Sequence, residues 1–283
     1  MENQEERKII VGQKAQPEKN NTEQSVMQQF VDNEFVVPTE DVDLPSKGYF
    51  YPNGKKSVKV KYLTADEDDI LFSPELIKSG RVFDALLQTV IIDKDLNPDD
   101  MIVGDRNAIL IHARKTSIGE EYVPGKMTCP SCGEVYEPKV NLSELKLKYI
   151  EHLPNEKGEY DFMFPIIKKN IKFRLLNGRD ENRISKATQA TKKTGTTSFK
   201  FSKGVTERYR LQIMEVEGNR DKTYIAKFIS AMPMKDSLVF REYTKLISPG
   251  VDFNYTFECT NCGHQYEDDV PVTYKLFYPN AEL

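Results

Sequence analysis

The chain has no tryptophan, and its 283 residues include only three histidines and four cysteines. No apolar run approaches the roughly 20 residues that a membrane-spanning helix needs. The charged segment Met1–Asn20 has no apolar stretch typical of a secretory signal. We therefore expect a protein that is made and kept in a cytosol, without a membrane partner. In that reducing compartment, four cysteines favour a metal site over disulfides.

The common catalytic motifs are also missing. The sequence has no phosphate-binding glycine loop, no G-x-S-x-G and no H-E-x-x-H. The three histidines, His112, His152 and His264, are scattered along the chain. The acidic run 66–69 fits the N-terminus of a helix better than carboxylate catalysis. We therefore predict that the protein is not an enzyme.

The formal net charge is −4 and the isoelectric point is near 5.6, which does not favour nucleic-acid binding. The segment from Arg174 to Lys203 is an exception, because basic residues there are interleaved with Phe199 and Phe201. Basic residues between aromatics are typical of single-strand binding. We interpret Thr194–Lys203 as a solvated or partner-facing loop and keep a nucleic-acid surface as the alternative.

The first half of the chain divides by composition. Residues 1–43 are polar and aperiodic, and we expect a flexible tail there. Residues 44–128 predict a strand followed by helices. Val58, Val60 and Tyr62 alternate with polar residues, and Thr64 with Glu67 forms a capping box. Further helices are predicted at 74–80 and 81–92, and a fourth begins with Asp105 as its cap.

Residues 146–250 predict a separate α/β segment. Two alternating stretches, 160–167 and 171–176, read as a β-hairpin. Helical patterns follow at 180–192, 206–216, 221–231 and 236–247.

Two cysteine pairs open the same short motif. In Cys129–Val140 and in Cys259–Val270, the first cysteine is followed by Cys at +3, Gly at +4, Tyr at +7, Glu at +8 and Val at +11. A C-x2-C turn places both sulfurs on one side, and the glycine after it accepts the positive φ that closes the turn. We call Cys129–Gly133 and Cys259–Gly263 the two knuckles. Together they supply four thiolates, the ligand set of a tetrahedral structural zinc.

The pairing of the knuckles is an inference, because Cys259 follows Cys132 by 127 positions. Ordinary zinc ribbons have about 15 to 20 residues between their cysteine pairs. Reduced free thiols, disulfides, and His264 in place of a thiolate are the alternatives. We expect one structural Zn²⁺ bound by Cys129, Cys132, Cys259 and Cys262.

These predictions combine into an α+β fold. An N-terminal helical region is followed by a split zinc ribbon with two C-x2-C-G knuckles, whose arms are residues 129–145 and 251–283. The long α/β insertion, 146–250, lies between the arms. The zinc would therefore join two distant parts of the chain.

Several sequence blocks resemble the baseplate hub protein family of T-even-type bacteriophages, the group typified by the product of phage gene 26. Their order and spacing from about Leu44 to Pro279 are similar to the family pattern. The blocks are Leu44–Gly48 with Tyr51-Pro52, Thr64–Asp68 with Leu71, Leu86-Leu87, Asp105-Arg106 with Arg114, Cys129–Gly133, Ser248–Asp252, Cys259–Gly263, and Val270–Val272 with Phe277–Pro279.

The resemblance implies a non-enzymatic protein of the virion tail baseplate, made in the host cytoplasm during assembly. Its implied partners are other baseplate and tail hub proteins, with several copies in a symmetric assembly. Two alternatives stay open. One is a baseplate assembly chaperone absent from the mature virion, and the other is a zinc-ribbon accessory protein that binds nucleic acid.

Overall fold

The computed structural model describes residues 36–194 and 204–277. Most of the expected tail and nearly all of the expected loop at 194–203 lie outside these residues. The described chain from Pro38 onward forms one compact unit.

A strand lies within the segment that we expected to be a flexible tail. Strand β1, Thr39–Asp43, pairs antiparallel with β2, Ser57–Lys61, so that Val42 lies opposite Val58. Both valines are buried. The last five residues of the segment predicted as a tail are therefore a strand, because pairing with β2 gives Val42 a core contact that composition does not reveal.

Four helices follow, and their local signals explain most of their ends. They are α1, Ala65–Leu71; α2, Pro74–Ser79; α3, Val82–Val90; and α4, Val103–Ser117. The capping box is confirmed, because the backbone N–H of Thr64 donates to Glu67 Oε2 at 3.0 Å. Gly80 ends α2 in the left-handed conformation, with φ of 72°.

The predicted cap of the fourth helix is wrong. Helix α4 begins at Val103 after Ile102, and Asp105 lies inside its first turn. The Asp105 carboxylate is fully buried and accepts hydrogen bonds from the backbone N–H and hydroxyl of Ser46, at 2.9 and 2.5 Å. It also accepts from the Tyr51 hydroxyl at 2.6 Å. Asp105 therefore anchors the Leu44–Gly48 segment to α4.

Short strands carry the first knuckle. They are β3, Glu121–Tyr122; β4, Met127–Thr128; β5, Val135–Tyr136; β6, Val140–Asn141; and β7, Lys146–Lys148. Strand β3 pairs with β6, and β4 pairs with β5. The first knuckle is therefore the turn of the β4–β5 hairpin.

The insertion contains the predicted hairpin. Its strands are β8, Glu159–Met163, and β9, Asn170–Arg174. Helices α5, Gly178–Thr194, and α6, Gly204–Gln212, come next. They precede strand β10, Ile213–Val216, and helices α7, Lys222–Ser230, and α8, Met234–Ile247.

Strand β10 corrects the prediction of one helix over residues 206–216. Ile213 and Val216 are buried, and β10 adds to β9 to give a three-stranded sheet in the order β10-β9-β8. Phe240 of α8 packs on this sheet at the centre of an aromatic cluster. Its ring lies within 5.6 Å of those of Phe162, Phe164, Phe173 and Tyr209.

The chain then returns to the N-terminal part. Strand β11, Gly250–Asp252, pairs with β7, and β12, Asn254–Glu258, forms a hairpin with β13, Gln265–Asp269. The second knuckle is the turn of that hairpin. The described residues thus form eight α-helices and six small sheets, which confirms the α+β class. Within those residues, no helix is long and apolar enough to cross a bilayer.

Candidate metal centre

The two knuckles have the same backbone geometry. In the first knuckle, the N–H of Gly133 donates to the carbonyl of Cys129 at 3.0 Å. The N–H of Cys129 donates to the carbonyl of Glu134 at 2.9 Å. In the second knuckle, the N–H of Gly263 donates to the carbonyl of Cys259 at 2.9 Å. The N–H of Cys259 donates to the carbonyl of His264 at 3.0 Å. The glycines have φ of 74° and 70°, as the motif predicted.

The fold brings all four sulfurs together. Cys129 Sγ lies 3.8 Å from Cys262 Sγ, and Cys132 Sγ lies 3.8 Å from Cys259 Sγ. The four sulfurs lie within 4.8 Å of one another. The first cysteine of each knuckle is buried and the second is exposed, so the cluster is closed on one side and open on the other.

This spacing fits a tetrahedral metal. With a zinc–sulfur bond of about 2.3 Å, the sulfurs of a regular tetrahedron stand about 3.8 Å apart. A disulfide would need about 2.05 Å, and all four cysteines are free. The cluster contains no histidine, and the exposed ring of His264 instead stacks on Tyr266. Four thiolates and no histidine are therefore the donor set.

The two exposed thiols differ in acidity. The backbone N–H of Glu134, with help from neighbouring thiols, lowers the pKa of Cys132 to about 7. The backbone N–H of His264 lowers the pKa of Cys262, but hydrogen bonding with the other thiols raises it to a net value of about 12. The two thiols thus compete to carry one negative charge. A cation at the centre of the cluster would favour ionisation of both.

A pair of tyrosines joins the knuckles beneath the sulfurs. Tyr136 and Tyr266 are the +7 residues of the two motifs, and their hydroxyls lie 2.9 Å apart. Burial, followed by the hydrogen bond with Tyr266 and the nearby cysteines, raises the pKa of Tyr136. The repeated tyrosine therefore makes a contact between the repeats, which neither copy of the motif reveals by itself.

Side chains of the N-terminal region hold the C-terminal arm. The guanidinium of Arg114, in α4, donates to the carbonyls of Leu276 at 2.5 Å and Glu121 at 2.6 Å. The Tyr122 hydroxyl donates to the carbonyl of Pro271 at 2.7 Å. Arg114 and Tyr122 are both fully buried. Sequence patterns did not assign these contacts, although Arg114 lies in one of the family-like blocks.

The other candidate residues lie apart from this centre. His152 is exposed, and half-buried His112 has its Nε2 3.0 Å from Glu40. Of the acidic run, Glu67 is buried in the capping box with Lys61 at 2.8 Å, while its three aspartates are exposed. The run therefore has the predicted capping role.

The basic segment is partly neutralised by carboxylates. Arg174 donates to both oxygens of Asp180, at 2.7 and 2.9 Å, and Arg179 binds Asp100 in the same two-pronged way. Phe199 and Phe201 lie outside the described residues. Two of the cations in the described part of the segment are therefore paired with carboxylates and are not free to bind phosphates.

The family model described as T4 bacteriophage base plate protein matches residues 37–273 of the chain. No curated protein and no solved structure matches the chain significantly. The matched range includes both knuckles, the insertion between them and the Asp105 anchor.

Proposed function

This chain belongs to the T4 bacteriophage base plate protein family, and we propose that it is a structural, non-enzymatic component of the hub region of a contractile-tail baseplate. The family match over residues 37–273 is the observation that carries the proposal. Its partners are then other baseplate and tail hub proteins, with several copies in a symmetric assembly. The chain would be made in the host cytoplasm and end in the virion tail.

The proposal includes one structural zinc ion. Its ligands are Cys129, Cys132, Cys259 and Cys262, and the support is a sulfur spacing that matches the tetrahedral value. Four thiolates leave zinc no open position for water, so the ion would cross-link and not catalyse. It would join the two arms of the split ribbon, residues 129–145 and 251–283, around the insertion 146–250.

Zinc content is measured directly. The full chain, purified without added metal or chelator, should contain about one zinc per chain by elemental analysis. The double substitution Cys132→Ser/Cys262→Ser should contain none, while Ser131→Ala between the first two ligands should keep its zinc. A wild-type chain that holds no zinc after refolding with the metal would remove this part of the proposal.

The site of action is tested in particles. Quantitative mass spectrometry of purified virions should find this chain in a fixed ratio to the other baseplate proteins. The assembly chaperone, our second candidate, predicts that the chain is present in infected-cell assembly intermediates and absent from finished virions. Absence of the chain from finished virions would contradict the structural role and support the chaperone role. It would leave the zinc site untouched, because the two measurements are independent.

A further inference from the structure

A cavity of about 400 Å³ lies where the N-terminal end of α4 meets the C-terminal ends of α6 and α8. Its volume falls in the range of small-ligand sites. None of the four cysteines lines it, and no sequence motif indicated it. It is therefore separate from the candidate metal centre.

Polar side chains from three helices line the cavity. Arg208 and Gln212 are four residues apart on α6 and share one face of it. Arg241 and Thr244 are three residues apart on α8 and also share one face of their helix. Asn107 comes from the first turns of α4, whose N-terminus carries partial positive charge. The donors thus converge from three separate elements.

Gln212 places a buried side chain at the cavity wall. Its residue is 4% exposed, and it lines the cavity one helical turn after Arg208. Buried carboxamides are usually hydrogen-bonded, either to the protein or to a bound molecule or water. The side chain of Gln212 therefore lies where it can contact a ligand in the cavity.

The charge around the cavity is positive although the chain as a whole is negative. Four cations line it, Lys148, Arg208, Arg241 and Lys245, against two carboxylates, Asp252 and Asp269. Lys245 is paired with Asp269 at 2.9 Å, and Lys148 donates to the carbonyl of Lys245 at 2.6 Å. Neither Arg208 nor Arg241 has a salt bridge within the described chain. Both guanidinium groups are exposed at the solvent side of the cavity, where an anion can reach them, and Arg208 also lies near the carboxyl of Glu181.

The remaining wall is apolar. Leu175, Leu176, Pro249 and Phe253 line it, and both leucines are buried. We propose that this cavity binds a carboxylate joined to an apolar group, with Arg208, Arg241 and Gln212 holding the carboxylate and the leucines packing against the apolar group. The carboxylate belongs to a peptide segment of a neighbouring baseplate protein. This choice of ligand rests on the proposed baseplate function.

The test uses the full zinc-loaded chain and three probes. N-acetyl-leucine has the carboxylate and the apolar group, N-acetyl-leucinamide lacks the charge, and acetyl-Leu-Glu-Leu-amide presents a side-chain carboxylate within a peptide. Backbone amide NMR signals of Gly104 and Gly250, which line the cavity, report binding locally. We expect N-acetyl-leucine to shift both signals with a dissociation constant of ~1 mM, since so small a ligand has few contacts.

Matched variants assign the contact. Arg208→Gln should weaken binding of N-acetyl-leucine at least tenfold, and Gln212→Met should weaken it several-fold. Arg210→Gln is the control, because Arg210 lies on the same helix and is exposed like Arg208, but pairs with Glu207 and does not line the cavity. All three variants should melt close to the wild type, which separates lost binding from lost folding.

Every outcome is decisive. Shifts of equal size with N-acetyl-leucinamide, or no shifts with any probe at ~10 mM, would overturn the carboxylate site. If the peptide binds more tightly than N-acetyl-leucine, the carboxylate site is supported and its ligand is a side chain within a peptide. If the peptide binds more weakly, the site is supported and its ligand is a free acid or the end of a chain. Because the protein is tested alone, a failure here would leave the baseplate role, which virion composition tests, unaffected.

Discussion

At the scale of single residues, the fold depends on a few buried polar groups that link distant segments. Asp105 accepts three hydrogen bonds from the Ser46–Tyr51 region, Arg114 holds the carbonyl of Leu276, and the hydroxyl of Tyr136 meets that of Tyr266. Leaving such a group without its partner in the interior costs more than the bond itself contributes. These side chains therefore specify which segments may pack together.

The tyrosine pair gives the first prediction. Tyr136→Phe and Tyr266→Phe should each lower the free energy of unfolding by about 1 kcal/mol, because each leaves one hydroxyl without its partner. The double variant should lose less than the sum, since both single changes remove the same bond. Denaturant unfolding of zinc-loaded protein measures the four values. Strict additivity would mean that the hydroxyls are not coupled in solution.

Asp105 gives a prediction about pH. Burial raises the pKa of this carboxyl above its ordinary value of 3.8, although hydrogen bonds from Ser46 and Tyr51 oppose the shift. The folded state thus holds the proton more tightly than the unfolded state. The contribution of Asp105 to stability is complete below the unfolded pKa and is lost as pH rises through the folded pKa.

Asp105→Asn isolates this effect. The variant loses an acceptor at every pH, but it cannot titrate. The stability advantage of the wild type over the variant should therefore shrink as pH rises from about 4 towards 7. Urea unfolding of both proteins across this range measures the difference. An advantage that grows with pH would show that the folded pKa is lowered and not raised.

At the scale of elements, two glycines allow one segment of backbone to approach another closely. A Cβ on Gly104 would stand 1.8 Å from the carbonyl oxygen of Pro249, and one on Gly250 would stand 2.8 Å from the Cα of Gly104. Helix α4 therefore packs directly on the backbone that leads into β11. That contact places β11 beside β7, where the C-terminal arm begins.

Gly104→Ala tests this contact by the sign of its effect. Alanine in a helix is ordinarily better than glycine by about 1 kcal/mol. Here we expect a loss of about 2 kcal/mol or more, because the methyl group must displace Pro249. Lys115→Ala, eleven residues further along the same helix, is the control and should change stability by less than about 0.5 kcal/mol. A stabilised Gly104→Ala variant would contradict the close packing.

At the scale of the whole molecule, the two knuckles close a long loop of chain. The aromatic cluster around Phe240 lies inside this loop, and the Asp105 anchor lies before it. Arg114 and Tyr122 bind the C-terminal arm independently of the cysteines. The arms are thus joined both by protein contacts and by the sulfur cluster, and a metal there would add to an existing closure.

Loss of either knuckle should have the same consequence. Cys129→Ser/Cys132→Ser and Cys259→Ser/Cys262→Ser should each lower the melting temperature by about 10 °C, the size expected when a few kcal/mol are lost from a domain of this size. If the four cysteines share one ion as proposed, the quadruple variant should melt no lower, because each double variant already loses that ion. A chelator should lower the melting temperature of the wild type to that of the double variants. Additive losses would instead indicate two independent sites.

The sequence alone determined the features that arise from local chemistry. The capping box at Thr64, the stop at Gly80, the β8–β9 hairpin and the form of both knuckles follow from residues only a few positions apart. The repeated offsets after Cys129 and Cys259 also predicted that the two turns would be alike. Short-range geometry fixes these features, so their signals lie within one stretch of chain.

Only the tertiary structure decided which segments meet. Cys129 approaches Cys262, and Tyr136 contacts Tyr266. In both pairs the two residues are more than 120 positions apart in the sequence. Strand β10 and the burial of Asp105 likewise override local pattern, because a neighbouring sheet or loop supplies the stabilising contact. The two matching turns led us to expect one shared site, but only the packing of the whole chain brings the four sulfurs to within 4.8 Å of one another.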